Sequence, residues 1–209
     1  SSAASDVYKR QRKIVYDIIK NTKQEVFSMP LTQKSTYTTD DIYALPEGQR
    51  AELINGVIYE MAPPNRIHQE IVMNFSAAIH DYIKNNHGNC KVYPAPFAVF
   101  LNADDKTYVE PDISVICDPS KLDDRGCNGA PDWVIEVASL GTKRIDYGIK
   151  LFKYRSSGVR EYWIVNPLTQ TVNVYDLEGE ELSDQYTFDD DIPVCIYDGL
   201  IINISTLLK

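Results

Sequence analysis

A single α/β domain built on a mixed sheet is what this sequence predicts, on three observations. Two short, mostly apolar strands, 111–117 and 132–138, carry the carboxylates Asp112 and Glu136. Two longer stretches keep helical spacing, with apolar positions at Ile67, Ile71, Phe75, Ile79 and Ile83, and at Ile145, Ile149 and Phe152. Strand-like runs follow each of them, so the order is helix, hairpin, long helix, three strands, helix and further strands. With 209 residues, 44% of them hydrophobic, the chain can bury one proper core.

Taken in order, residues 1–28 stand apart. Residues 1–11 read as a translated sequencing adapter, and the codons that can encode Lys23 to Val26 contain a ribosome-binding sequence ahead of Met29. The expectation is a non-native leader over 1–28 and one domain over 29–209. Thr38, Thr39, Asp40 and Asp41 cap a short helix that Pro46 and Gly48 stop. Ala51 to Met61 places two apolar runs around Asn55-Gly56, the strongest short-range hairpin signal. Pro63-Pro64 ends the hairpin, and the helix that follows runs about five turns to Gly88 with His68 and Gln69 in its first turn. Val92 to Leu101 reads as a strand whose start Pro94 and Pro96 restrict to an edge or bulge. After the Glu136 strand, a helix from about Lys143 to Ser157 ends at Gly158. Ile145, Ile149 and Phe152 are its expected core stripe, with Lys143, Tyr147, Lys150 and Tyr154 on a second face. Antiparallel strands complete the chain: 161–165 with 171–175 around Asn166-Pro167, then two short strands in 192–204 and a terminal turn.

Charge and cysteine content narrow the function. The formal net charge is −9, and from residue 29 onward 15 basic residues face 27 acidic ones, which argues against a broad basic nucleic-acid surface. No apolar run approaches a membrane span and no secretory leader is evident, so a soluble, cytoplasmic protein without a membrane partner is expected. Cys90, Cys117, Cys127 and Cys195 show no CxxC spacing and are expected to be reduced, mostly buried thiols.

The chemistry centres on the two acids. Glu136 lies in a run that should be buried on both faces, where an unpaired carboxylate would cost several kcal/mol unless a cation or hydrogen-bond donors compensate. Asp112 lies 24 positions earlier, enough for one strand, a polar loop and a return strand. Two acids on neighbouring strands, about 5 Å apart, could grip one ion. The dipeptide recurs as Pro131-Asp132, but Asp132 and Glu136 share a strand at about 13 Å, too far to share an ion. Each acid also has a plain structural reading: Asp112 as a strand-entry cap, Glu136 in a buried salt bridge.

Glu110-Pro111-Asp112, an acid on the next strand, Lys150 with Tyr154 on the following helix and the run Gly158 to Val165 resemble the Uma-type restriction endonuclease family of the PD-(D/E)xK superfamily. The resemblance runs from about Tyr37 to the C-terminus and includes Ala51 to Gly56 and Pro63 to Gln69. It implies a restriction-endonuclease-like core with an N-terminal hairpin and C-terminal antiparallel strands. It also implies a Mg²⁺-dependent nuclease, with Mn²⁺ as the alternative ion and DNA as substrate. Asp112, Glu136 and the Val137 carbonyl would hold the ion, and water activated there would leave a 5′ phosphate. The usual motif lysine, two positions after the second acid, is replaced by Ala138. The family pattern moves it to Lys150, which would position or deprotonate the water, with Tyr154 steadying it. Glu52 is the candidate additional carboxylate, with His68 and Gln69 approaching from the long helix. The bland alternatives are a solvated Lys150, a surface Glu52, an ordinary helix-start His68 and a packing Tyr154. The competing function is a non-catalytic nucleic-acid or protein interaction module that keeps the fold, and exposed strand edges suit a homodimer.

Overall fold

In the computed structural model, which describes residues 36–102, 104–139, 141, 144–179 and 183–209, strands sort by how fully their sequences can be buried. The Asp112 and Glu136 runs become β5 (Ile113–Ile116) and β8 (Trp133–Val137), and with β9 (Glu161–Asn166) they are buried along their whole length. They form the middle of a six-stranded sheet. Half-exposed β10 (Thr171–Asp176) flanks β9, and polar β11 (Asp184–Thr187) and β3 (Lys91–Pro94) are its edges, giving the order β11-β10-β9-β8-β5-β3. Every pairing is antiparallel except β8 with β9, which are parallel and joined by a helical crossover.

Residues alternate between the sheet's faces. Ile113, Val115, Trp133, Ile135, Trp163 and Val165 point to one core, covered by the long helix α2 (Arg66–Asn85). The α2 start is set by Asn65, whose side chain accepts the His68 amide at 3.0 Å. Phe75 of α2 stands edge-on to both Trp133 and Trp163. Val134, Ala138, Tyr162 and Ile164 point to the opposite core, which also holds Tyr154 of the crossover helix. That helix starts as the π-helical segment Ile145–Lys150 and continues as α3 (Leu151–Ser157), ended by Gly158 at φ 92°.

A hairpin of β1 (Ala51–Ile54) and β2 (Val57–Glu60) lies beside this second core. Asn55 and Gly56 both take positive φ, 52° and 77°, the geometry of the turn expected from the Asn-Gly pair. Helix α1 (Thr39–Tyr43) packs against it through Ile42, with a capping box between Thr38 and Asp41. Short pieces complete the fold: β4 (Val99–Phe100), β6 (Leu122–Asp123) and β7 (Gly126–Asn128) as a small sheet, β12 (Ile192–Pro193) with β13 (Ile201–Ile202), and α4 (Ile204–Leu207).

Four expectations need correction or placement. The strand expected over 92–101 is two, β3 and β4, in different sheets, because the Pro94-Ala95-Pro96 stretch cannot continue the ladder. The crossover helix buries the other face from the one its apolar residues suggested. Phe152 is 72% exposed and Ile149 also reaches solvent, while Asp146, Lys150, Lys153 and Tyr154 are buried. The π-helical start breaks the 100° spacing on which that reading rested, and Lys153 Nζ donates to Asn55 Oδ1 at 2.7 Å, tying the helix to the hairpin turn. Cys90 and Cys117, expected as thiols, are joined in a disulfide. The cause is the β3–β5 register, in which Lys91 faces Ile116 and the next positions outward face each other. The expected leader over 1–28 and Lys143 lie outside the described residues.

Candidate active site

The register of the central strands brings the two acids together. Ile113 faces Ile135 in the antiparallel β5–β8 pair, so the next position outward sets Asp112 opposite Glu136, on the face that carries the crossover helix. Asp112 is locked from two directions. Its Oδ2 accepts the Val137 amide at 2.8 Å and lies 3.1 Å from His68 Nε2, delivered by the first turn of α2. The opposite end of the same strand pair holds the second Pro-Asp copy. There Asp132 Oδ2 accepts the Cys117 amide at 2.7 Å, and Arg160 Nη1 lies 3.4 Å from its other oxygen. Both aspartates therefore cap the neighbouring strand, but only Asp112 faces another acid.

Lys150 holds the centre. Its Nζ is 2.9 Å from Glu136 Oε1 and 2.8 Å from Glu52 Oε2, with Asp146 Oδ1 at 3.9 Å. All four side chains are at most 6% exposed. Tyr154 OH donates to Glu136 Oε1 at 2.8 Å, so the tyrosine steadies the glutamate and not, as expected, the lysine. Glu52 is fixed by the Glu110 amide, which donates to its Oε1 at 3.0 Å. The Glu110 carboxylate turns away to Arg50 and to Tyr108 OH at 2.5 Å. Glu52 is thus no surface residue, because alternation along β1 sends Ala51 and Leu53 into the α1 core and Glu52 the other way.

The cluster carries more acid than base. Burial pushes the Glu136 carboxyl well above its usual value; Lys150 opposes this, while Asp112, Asp146 and Glu52 add to it. Burial alone would lower the Lys150 ammonium, but Glu136, Glu52 and Asp146 outweigh it and hold it well above its usual value. Burial, followed by the charges of Glu136 and Glu52, also raises the Tyr154 phenol, keeping it a donor.

Among the described residues, no three His, Cys, Asp or Glu side chains converge closely enough to ligate an ion by themselves. Magnesium does not require that, since it is commonly held by one or two carboxylates, several waters and substrate phosphate oxygens. Asp112 and Glu136, hard oxygen donors from facing strands amid surplus negative charge, fit that demand.

Two of the expected residues enter differently. Val137 touches the site through its amide, which fixes Asp112. Gln69 is exposed and its amide donates to the Asn65 carbonyl, so it does not join the cluster. Asp146 was missed, although its spacing of four from Lys150 on a helix was a readable signal. A cavity of about 420 Å³ lined by Arg50, Ala51, Glu60, Met61, Pro63 and Pro64, among others, contains none of the cluster's residues.

A family model described as Uma2, "Putative restriction endonuclease", matches residues 39–203, which include every residue of the cluster. The chain belongs to the Uma2 family. An uncharacterized protein of Synechocystis, slr1290, is 24% identical over 128 residues, 61% of this chain and 66% of that relative's length. The crystal structure of a protein from Anabaena variabilis, titled as a putative nuclease belonging to DUF820, superposes with a TM-score of 0.67 at 23% identity. The match covers 82% of this chain and 97% of that one. At that identity the likeness shows the fold, the mixed α/β class expected from the sequence. Among the described residues no helix is long and apolar enough to cross a membrane.

Proposed function

We propose that this Uma2 protein is a magnesium-dependent phosphodiesterase acting on DNA. The observation that carries the reading is a single ammonium, Lys150, set among the buried carboxylates of Glu52, Glu136 and Asp146, with Asp112 facing Glu136 across the strand pair. Buried surplus negative charge is expensive, and a divalent cation, which can also bind a phosphate oxygen, would relieve it. Mg²⁺, or Mn²⁺ in its place, would polarise the phosphoryl oxygen and acidify a water.

The chain's own residues have distinct tasks in this reading. Asp112 and Glu136 would hold the ion, one from each facing strand. The Val137 amide and His68 Nε2 fix the aspartate, while Tyr154 fixes the glutamate. Lys150 is held as an ammonium, which favours a donor that orients groups and neutralises charge over a base that removes a proton. Glu52 keeps Lys150 pointed at Glu136.

The test is calorimetric titration of Mg²⁺ into the full chain, with Asp112→Ala and Glu136→Ala in parallel, followed by cleavage assays on single- and double-stranded DNA. Binding lost in both variants, with metal-dependent cleavage in the unaltered chain, is expected. Heat-free titration of the unaltered chain would instead favour the non-catalytic module, for which Ala138 at the usual lysine position is the specific argument.

A further inference from the structure

Strand β3 is an edge of the central sheet, next to the strand that leads from Asp112. Between β3 and the C-terminal half of α2 lies a cavity of about 260 Å³. Its charged or titratable wall residues, apart from the disulfide's Cys90, are His80, Lys84, Lys91 and Tyr93, with Ile83 and Val92 between them. In a chain of net charge −9, a cavity with two lysines and no carboxylate in its wall is a local reversal of sign. Its acidic neighbour Asp81, 3.5 Å from His80, is not part of that wall.

The groove opens at the β3 edge of the sheet: His80, Lys84 and Val92 line it from the α2 face, while Lys91 and Tyr93 share the face that carries Asp112. Lys91 faces Ile116 and Tyr93 faces Ser114 across β5, and the Ala95 amide donates to the Asp112 carbonyl at 2.9 Å. Four residues of strand, about 13 Å, separate Lys91 from the position beside Asp112. Tyr93 stands between them on the Asp112 face of the sheet, half-buried and stacked flat on Phe97 with ring centroids 4.3 Å apart. A cationic groove leading past half-exposed aromatic rings is the arrangement that tracks one nucleic-acid strand, with ammonium groups on phosphates and rings against bases. The acidic remainder of the surface disfavours a duplex, whose second strand would need cations of its own.

We propose that the β3–α2 groove is a binding site for a single nucleic-acid strand that passes round the β3 edge, along Lys91 and Tyr93, to the Asp112–Glu136 site. Lys84 and Lys91 contact phosphates, and the Tyr93–Phe97 pair contacts the base nearest the cut. The proposal rests on the phosphodiesterase reading and names its substrate class as single-stranded or unpaired nucleic acid.

Fluorescence anisotropy of the full chain with a labelled twelve-nucleotide single strand and the matching duplex, with Ca²⁺ replacing Mg²⁺, tests the groove. Hydrolysis of bis(p-nitrophenyl) phosphate, too small to reach the groove, tests the metal site separately. Lys84→Ala/Lys91→Ala alters two exposed side chains and should weaken single-strand binding about tenfold at low salt. It should also reduce the slope of log K against log salt by about 1.4, two contacts at 0.7 each, with small-diester hydrolysis unchanged. Phe97→Leu should weaken binding without changing the salt slope. Unchanged affinity in the double-lysine variant, or tighter binding of the duplex than of the single strand, overturns the groove whatever the hydrolysis result. Lysine-dependent strand binding without small-diester hydrolysis supports the groove and removes the catalytic reading.

Discussion

Replacing Lys150 by methionine keeps an unbranched side chain one heavy atom shorter and removes the cluster's cation. The ammonium makes close contacts with Glu136 and Glu52, with Asp146 just beyond, and all four groups are at most 6% exposed. Breaking one buried ion pair by removing a partner costs about 3–5 kcal/mol. With two close acids left unpaired, the loss belongs near the upper end, about 5 kcal/mol at pH 8, against a total stability of about 5–15 kcal/mol for an ordinary domain. At a urea slope of about 2 kcal/mol per molar, the midpoint should fall by roughly 2.5 M. The cost comes from uncompensated carboxylates, so it should shrink on acidification to pH 5, as the Glu136 carboxyl, raised by burial, takes up a proton. Mg²⁺ at about a hundred times its dissociation constant should return about 2.7 kcal/mol. Urea unfolding followed by circular dichroism at pH 5 and pH 8, with and without Mg²⁺, reads all of this. A loss below about 1 kcal/mol at pH 8, or the same loss at both pH values, would refute the reasoning.

Three further outcomes are expected. Glu136 has its folded pKa raised by burial, so its contribution to stability is full below its usual value of 4.5 and is lost as pH rises through the raised value. The unaltered protein should lose stability over that rise and Glu136→Gln should not, a difference that thermal melts across pH 4–9 would show or dismiss. Asp112→Asn can still accept the Val137 amide, so its stability should stay within about 1 kcal/mol of the parent while calorimetric Mg²⁺ binding disappears; retained binding would remove Asp112 from the metal set. Reducing the Cys90–Cys117 bridge, which spans 27 positions, should cost about 3.5 kcal/mol on chain-entropy grounds, measured as a urea-midpoint shift with dithiothreitol, and a shift also seen in a Cys90→Ser/Cys117→Ser variant would assign it elsewhere.

What could be read from the residues beforehand follows how local each signal is. The Asn55-Gly56 turn, the five turns of α2 and the Gly158 stop depend on a few neighbouring residues, and they stand where expected. The Asp112–Glu136 apposition was legible because two short, mostly apolar strands of fixed rise can meet in few registers. Other features depend on distant partners. The buried face of the crossover helix is chosen by Glu52 and Glu136, not by its own apolar residues, and its π-helical start shifts the angles that periodicity assumes. The disulfide follows from a strand register that no spacing of cysteines announces. Strands of two or three residues, such as β4, β6 and β7, are too short to leave a pattern.

The parallel pairing of β8 with β9 settles which end of the central strand pair can do chemistry. An antiparallel ladder is symmetric under exchange of its ends, and here the symmetry extends to the side chains, with a Pro-Asp at each end capping the other strand. A parallel neighbour breaks that symmetry, since β9 can be reached only by a crossover that leaves β8 from its carboxyl end. The crossover carries Asp146, Lys150 and Tyr154 to Glu136, the acid that faces Asp112, while the amino end of β9 brings Arg160 to Asp132. Chain direction alone thus pairs one copy of a duplicated dipeptide with an arginine and sets the other opposite a second acid. A circular permutation that opened the crossover and joined the termini would keep both caps and every strand pairing, yet free the helix that makes the two ends unequal.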